Sequence, residues 1–216
     1  MALSDIIATI ISRSKVIEIC DSLHDVQNST TEEEVIEAGL PLLVYSYQAG
    51  IIDDSLIADF TESTLNSYNI FTTGTFTITN PDSEVYILKN AIVSLTISGT
   101  WNGKINVMGA ATLNLTIGDT CFATVKVYDN GIANVTINDD AMVTLACKEN
   151  SNVTAIVNTN GIFHLTAYNF SVCGVTTNNN SYAKATLFHN SSITPANYDT
   201  STLLINLYQN AQSILS

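Results

Sequence analysis

Five acidic residues in the middle of the chain, Asp119, Asp129, Asp139, Asp140 and Glu149, recur about every ten positions. A calcium-binding β-roll also sets Asp at the corners between short strands, but with a nine-residue period and paired glycines. Here the period is ten and glycine is sporadic, so these carboxylates read as solvated turn residues. The three histidines, His24, His164 and His189, and the four cysteines, Cys20, Cys121, Cys147 and Cys173, are dispersed without metal-ligand spacing. The cysteines form no C-x-x-C pair, fall at different positions of the repeat described below, and read as small buried hydrophobes in a reducing folding compartment. Enzymes that cleave acidic polysaccharides on β-helices need clustered carboxylates beside Arg or Lys. The only arginine is Arg13, outside the repeat, and Lys89, Lys104, Lys126, Lys148 and Lys184 are scattered. The six-residue period of left-handed helix acyltransferases, a Gly-x-Ser-x-Gly elbow and a phosphate-binding loop are all missing from the sequence. No catalytic residue, cofactor or metal site is expected, and the protein is not expected to be an enzyme.

The framework that carries these residues is a ten-residue repeat from about 85 to 187. If each column is named by the last digit of the residue number, column five reads Val85, Leu95, Ile105, Leu115, Val125, Val135, Leu145, and column seven Ile87, Ile97, Val107, Ile117, Val127, Ile137. Column six between them is mostly Thr, and column three is again apolar. Alternation with period two is the mark of a strand with one buried face. Each decapeptide therefore predicts one short strand, closed by a corner rich in Asn, Asp, Gly and Ser, residues that tolerate positive φ.

Column eight alternates by size. Ser98, Gly118, Asn138, Asn158 and Asn178 are small or polar; Leu88, Met108, Tyr128, Lys148, Tyr168 and Phe188 are large. The unit is thus about twenty residues, two strands with two different corners, which predicts a parallel β-solenoid rather than a meander. Five to six rungs at the strand spacing of about 4.8 Å give a rod of about 25 Å. The large ladder, Leu88, Met108, Tyr128, Tyr168 and Phe188, is the candidate subunit interface, with inward packing at the corner as the alternative.

Residues 1–70 are different material, richer in Glu and with helical periodicity. Leu3, Ile6, Ile7, Ile10 and Ile11 form one stripe with Ser4 as N-cap, and Val16, Ile17, Ile19, Cys20 and Leu23 a second helix restarted at Ser14. Thr31 and Glu34 read as a capping box, Pro41 as a kink or restart, and Asp54–Phe60 and Thr61–Tyr68 as two last short helices. The fold class is therefore α+β: a helical attachment domain over 1–70, then a solenoid over 71–216. Phe76 and Ile78 lie one position out of phase, predicting an irregular first rung. Pro195 sits in a core column, and the residues after it are expected to form a C-terminal cap, as a final strand or a short helix.

A net charge of −13 with seven basic residues argues against nucleic acid as a partner. No apolar run reaches membrane-spanning length, and the first residues lack the marks of a secretory leader, so the N-glycosylation sequons read as by-products of an Asn/Thr-rich pattern.

The helical head, Leu3 to Ile70, followed by repeats such as Gly131-Ile132-Ala133-Asn134-Val135-Thr136-Ile137-Asn138-Asp139-Asp140, resembles virion-attached fibre proteins of tailed phages, the head-fibre type of crAss-like phages in particular. The resemblance implies a structural protein of the virion, assembled in the host cytoplasm. It further implies a homotrimer whose helical head docks on the capsid or another virion protein while the β-shaft projects. No catalytic residue transfers with it. Two alternatives remain: a bactofilin-like cytoskeletal polymer and a glycan-binding adhesin, whose usual aromatic platforms are sparse here, Trp101 being the only Trp.

Overall fold

The computed structural model describes residues 1–15 and 23–214, which divide into two compact units, Met1–Tyr68 and Asn69–Ser216. The first unit holds α1 (Leu3–Lys15), α2 (Leu23–Asn28), α3 (Glu32–Gly39), a 3-10 turn (Leu40–Leu42), α4 (Leu43–Gln48), α5 (Asp54–Ile57) and α6 (Glu62–Ser67). Its interior is built from Ile6, Ile10, Val35, Leu43, Leu56 and Leu65.

Local chemistry explains where these helices begin and end. In α1 the Ala2 carbonyl already accepts the Asp5 and Ile6 N–H groups, so Ser4 lies inside the helix rather than capping it. Ser14 does not restart the helix either: its buried hydroxyl donates to the Ile10 carbonyl at 2.7 Å and α1 runs through it. The helix expected over Val16–Leu23 falls largely on residues 16–22, outside the described residues. The capping box is present in shifted form. Thr31 Oγ1 accepts the Glu34 N–H at 3.2 Å, while the Glu34 carboxylate reaches back to the N–H of Thr30, not Thr31, at 2.6 Å. Pro41 sits in the 3-10 turn, where its missing N–H costs no helical bond. The cap of α5 is Asp53, which accepts from the Leu56 N–H at 2.9 Å and also pairs with Arg13 at 3.0 Å, tying α1 to α5.

The second unit is a parallel β-solenoid of about seven turns with roughly 20 residues per rung, longer than the five to six rungs expected because the strands run further at both ends. Each rung contributes one strand to each of two eight-stranded sheets. The odd sheet stacks β1 (Ile70–Phe71), β3 (Val85–Ile87), β5 (Asn102–Val107), β7 (Phe122–Val127), β9 (Met142–Cys147), β11 (Ile162–Ala167), β13 (Tyr182–Leu187) and β15 (Thr202–Leu207). The even sheet stacks β2 (Thr75–Thr79), β4 (Ile92–Ile97), β6 (Thr112–Ile117), β8 (Ile132–Ile137), β10 (Asn152–Val157), β12 (Val172–Thr177), β14 (Ser192–Asn197) and β16 (Gln212–Ser213). From β3 and β4 onward the register is always residue i against i+20, as in Leu113↔Ala133 and Phe163↔Ala183. Columns three, five and seven point inward from both sheets and form one aliphatic core.

The irregular first rung has a definite register. Thr75 pairs with Ile92, an offset of 17, so Phe76 and Ile78 stack on Val93 and Leu95 and rejoin the core columns. In the β5 rung, column three is Gly103. A side chain there would meet the Trp101 ring at 2.3 Å, so the indole occupies the space that Ala123 and Val143 fill further along the same sheet. The indole N–H donates to the Pro81 carbonyl at 2.6 Å, which fixes the ring over the core.

Of the two forms expected for the C-terminal residues, a final strand or a short helix, the structure has strands. Pro195 lies within β14, paired with Val175, and β15 and β16 continue the stacking. Even-column N–H groups bond to the preceding rung, as Gln212 does to Ser191 and Ile214 to Ile193. An odd-column residue therefore points its nitrogen to the following rung. Among the described residues the β14–β16 ladder covers Ser192 and Ile193, and the missing Pro195 N–H lies on the side away from its partner Val175.

Candidate interaction surface

The corners between strands are β-turns closed by bonds such as Gly131 N–H to the Tyr128 carbonyl at 3.0 Å and Gly161 N–H to the Asn158 carbonyl at 2.9 Å. Column nine is left-handed from Lys89 to Gln209, whatever residue stands there: φ is 55° at Asp119, 58° at Asp129, 53° at Thr159 and 59° at His189. Four of the acidic residues singled out in the sequence sit here and join rungs to one another, while Asp140 stands one position on and accepts from the Asn160 amide at 3.1 Å. Asp119 accepts the Gly99 N–H at 2.7 Å, Asp129 the Gly109 N–H at 3.2 Å, Asp139 the Asp119 N–H at 3.3 Å and Glu149 the Asp129 N–H at 2.8 Å. Asparagine extends the same device: Asn178 donates to Asn158 at 2.9 Å and Asn158 to Asn138 at 3.0 Å. These carboxylates and amides are linked to backbone and to one another rather than converging on a ligand.

The histidines stay apart. His24 lies on α2 beside Asp25 and Asn28, His164 meets the Tyr182 ring edge-on at 6.1 Å, and His189 occupies a left-handed corner. Cys20 lies outside the described residues, and Cys121 is buried at a corner. Cys147 and Cys173, however, are brought together: their sulfurs lie 3.5 Å apart in the core. Comparing columns as one ladder hides this pair. Each corner reverses the chain, so column seven of the odd sheet lies across from column three of the even sheet.

The column-eight ladder is mostly consumed by packing within the chain. Leu88 and Met108 are fully buried and Tyr128 is buried, so these three do not form an outward subunit interface. Tyr168 stacks on Phe188 at 5.1 Å and Phe188 on Tyr208 at 5.0 Å, with planes within 13° of parallel. Lys148 lies between the Tyr128 and Tyr168 rings, 5.8 and 5.7 Å from their centres. Ring faces here are turned to the neighbouring rungs, and solvent meets the edges of Tyr168 and Phe188.

A different surface stands out by what it lacks. The outward columns two, four and six of the even sheet, from Thr75 to Gln212, carry no charged residue among the described residues. They present Thr, Asn and Ser with exposed Ile92, Ile132, Ile156 and Val172, and Asn134 donates to Asn114 at 2.9 Å along the ladder. The outward columns of the odd sheet carry Lys104, Lys126, His164 and Lys184, and the acids line the corners. In a chain of net charge −13, the even sheet is thus a neutral, β-branched face with an acidic rim. The sequence signal for it was present: an absence of charge in alternate decapeptides, visible once the twenty-residue unit is split into its two sheets.

A shallow depression at the β3–β5 level, lined by Asp82, Glu84, Trp101, Asn102 and Lys104, has its one lysine paired internally. Lys104 lies 3.8 Å from Glu84, whose other oxygen accepts from the buried Asn106 amide at 2.7 Å. No helix among the described residues is long and apolar enough to cross a membrane. No family model matches the chain, and no curated protein or solved structure matches it.

Proposed function

We propose that the chain is a non-catalytic structural protein of a tailed-phage particle, a fibre or decoration subunit. In this reading its solenoids associate side by side into a homotrimer through the neutral face of the even sheet, and its helical unit attaches to the capsid or another virion protein. The observation that carries it is that face. Copies of a chain with net charge −13 repel one another over most of their surface, and the one extended sheet free of charge is where contact costs least. The structure of the solenoid itself supports a mechanical role: a continuous aliphatic core and corner side chains bonded from rung to rung resist peeling.

A second reading, a bactofilin-like polymer, is favoured by β15. Among the described residues it is paired on one side only, and Leu204 and Leu207 on it are exposed. The glycan-binding reading is disfavoured because the stacked rings of Tyr168 and Phe188 occlude one another's faces. Sedimentation-equilibrium mass and electron microscopy of the purified chain separate these readings. Discrete trimers, together with labelling of intact virions by an antibody to the chain, support the fibre; long filaments support the polymer; a stable monomer absent from virions overturns both.

A further inference from the structure

Against the expectation of isolated thiols in a reducing compartment, we propose that Cys147 and Cys173 are a disulfide-forming pair, oxidised by a low-molecular-weight disulfide as the rungs close, and that the bond ties the odd sheet to the even sheet through the core. The two residues belong to opposite sheets, Cys147 at the end of β9 and Cys173 in β12, and are 26 positions apart. Both are buried in the aliphatic cluster, and their sulfurs already lie at 3.5 Å, in direct contact. A disulfide needs the sulfurs at about 2.05 Å, so bond formation draws them about 1.5 Å closer. Among the described residues the remaining cysteine, Cys121, offers no competing geometry: it is at a corner and shares no thiol contact.

In the folded chain the Cys173 S–H beside Cys147, followed by the hydroxyls of Ser171 and Ser151, pulls the Cys147 thiol below its ordinary value against the opposing effect of burial. Cys173 is pushed up by its contact with Cys147 and by burial. Because neither sulfur is exposed in the folded chain, the exchange belongs to folding, before the two sheets close over the pair. At that stage either thiolate can attack first. It displaces one thiol from the small disulfide and forms a mixed disulfide. The second cysteine then attacks the protein sulfur of that mixed disulfide and releases the second thiol, so two protein thiols and one small disulfide become one protein disulfide and two small thiols. Once formed, the bond encloses β10 and β11 and holds these rungs against unravelling.

The test is refolding of the full chain in a buffer of oxidised and reduced glutathione, with a phosphine-reduced sample beside it. Folding is verified by circular dichroism, free thiols are alkylated after transfer to denaturant at low pH to quench exchange, and the unreduced digest is weighed. The expected result is one cross-linked peptide pair joining Cys147 to Cys173, two of the four cysteines protected from alkylation, and a higher melting temperature than the reduced chain. The Cys147→Ala and Cys173→Ala variants lose both the link and the difference in melting temperature. Alanine is already the ladder neighbour of Cys147 at Ala167, so the first variant fits its column. Four alkylated cysteines in the folded product, a link through Cys20 or Cys121, or a melting temperature indifferent to reductant overturns the proposal. If the chain does not refold, natively purified protein treated with diamide just below its melting temperature gives the same readouts with the same meaning.

Discussion

The backbone N–H of Asp129 donates to Glu149 Oε2 across 2.8 Å, so an acidic residue of one rung is held by the acidic residue of the next. Burial pushes the Glu149 carboxyl above its ordinary value of 4.5; the Asp129 N–H pulls it down, and the Asp129 carboxylate pushes it up again. The corner bond is therefore gained at the expense of an unfavourable charge.

That balance has a sign. Glu149 binds its proton more tightly in the folded than in the unfolded chain, so its contribution to stability grows as pH falls through the folded value and levels off below about 4.5. In the helical unit the opposite holds. Asp53 is lowered, first by the Leu56 N–H, then by Ser55 and Arg13, and Glu34 is lowered by the N–H and hydroxyl of Thr30. Their contributions are present above the unfolded values and are lost as pH falls through the folded ones. Hydrogen exchange read by mass spectrometry, stepped from neutral pH downward, is expected to show protection in β7–β9 rising while that in α3 and α5 declines at the acid end. Glu149→Gln is expected to flatten the first trend only. Parallel loss in both units would contradict this assignment.

Charges placed on the even sheet are expected to dissociate the assembly without unfolding the chain. Ile132→Glu and Thr154→Glu both lie on the exposed face, and like charges across a contact weaken association by tenfold or more at about 1.4 kcal/mol per decade. Each monomer is expected to keep its stability to within about 0.5 kcal/mol, as surface changes do. The control Thr144→Glu, on the odd sheet, leaves the assembly intact. Added salt strengthens association of the parent by screening the −13 charge. Sedimentation velocity checks all four outcomes; weakening by salt would point to a charged interface instead.

Trp101 and Gly103 are expected to behave as one unit. Gly103→Leu drives a side chain into the indole, which its bond to Pro81 holds in place, and destabilises by about 1–3 kcal/mol through overpacking. Trp101→Ala leaves a void and costs about 3–5 kcal/mol. The double variant approaches the Ala141–Val143 arrangement of a regular rung in the same sheet. It is expected to cost clearly less than the two single changes added together, as read by urea denaturation; additivity would mean that the two residues do not share the space.

Thr159 is β-branched and held at a φ of 53°. Thr159→Asn is expected to raise stability by about 1 kcal/mol, since Asn tolerates the left-handed region far better. Asn169 and Asn179 already show that residue in the same column. A fall in the thermal midpoint would show that Thr159 makes a compensating contact.

The core columns were readable from the sequence because strand alternation and a constant period leave each inward residue with one interpretation. The first rung was readable only as an irregularity: nothing in Thr75–Thr79 states the 17-residue offset that returns Phe76 and Ile78 to the core. Column eight was ambiguous because parity is lost at a turn, and burial differs between Met108 and Phe188 although they share a column. Pro195 misled because its missing N–H matters only on the side its nitrogen faces, the following rung, while its pairing with Val175 of the preceding rung is untouched. The Cys147–Cys173 contact and the neutral face share one cause for being missed. Both depend on sorting strands into two sheets that face each other, a relation between decapeptides rather than a property of any one of them.

Every rung from β3 to β14 has the same register, and every corner returns the chain to the same column. Excising residues 132–151 would join Gly131 to Asn152 with no column changed, and would shorten the solenoid by one strand spacing of about 4.8 Å. Duplicating the same segment would lengthen it by as much. The solenoid is in this sense a ruler with equal graduations, whose reach evolution can adjust by copying or deleting twenty codons at a time.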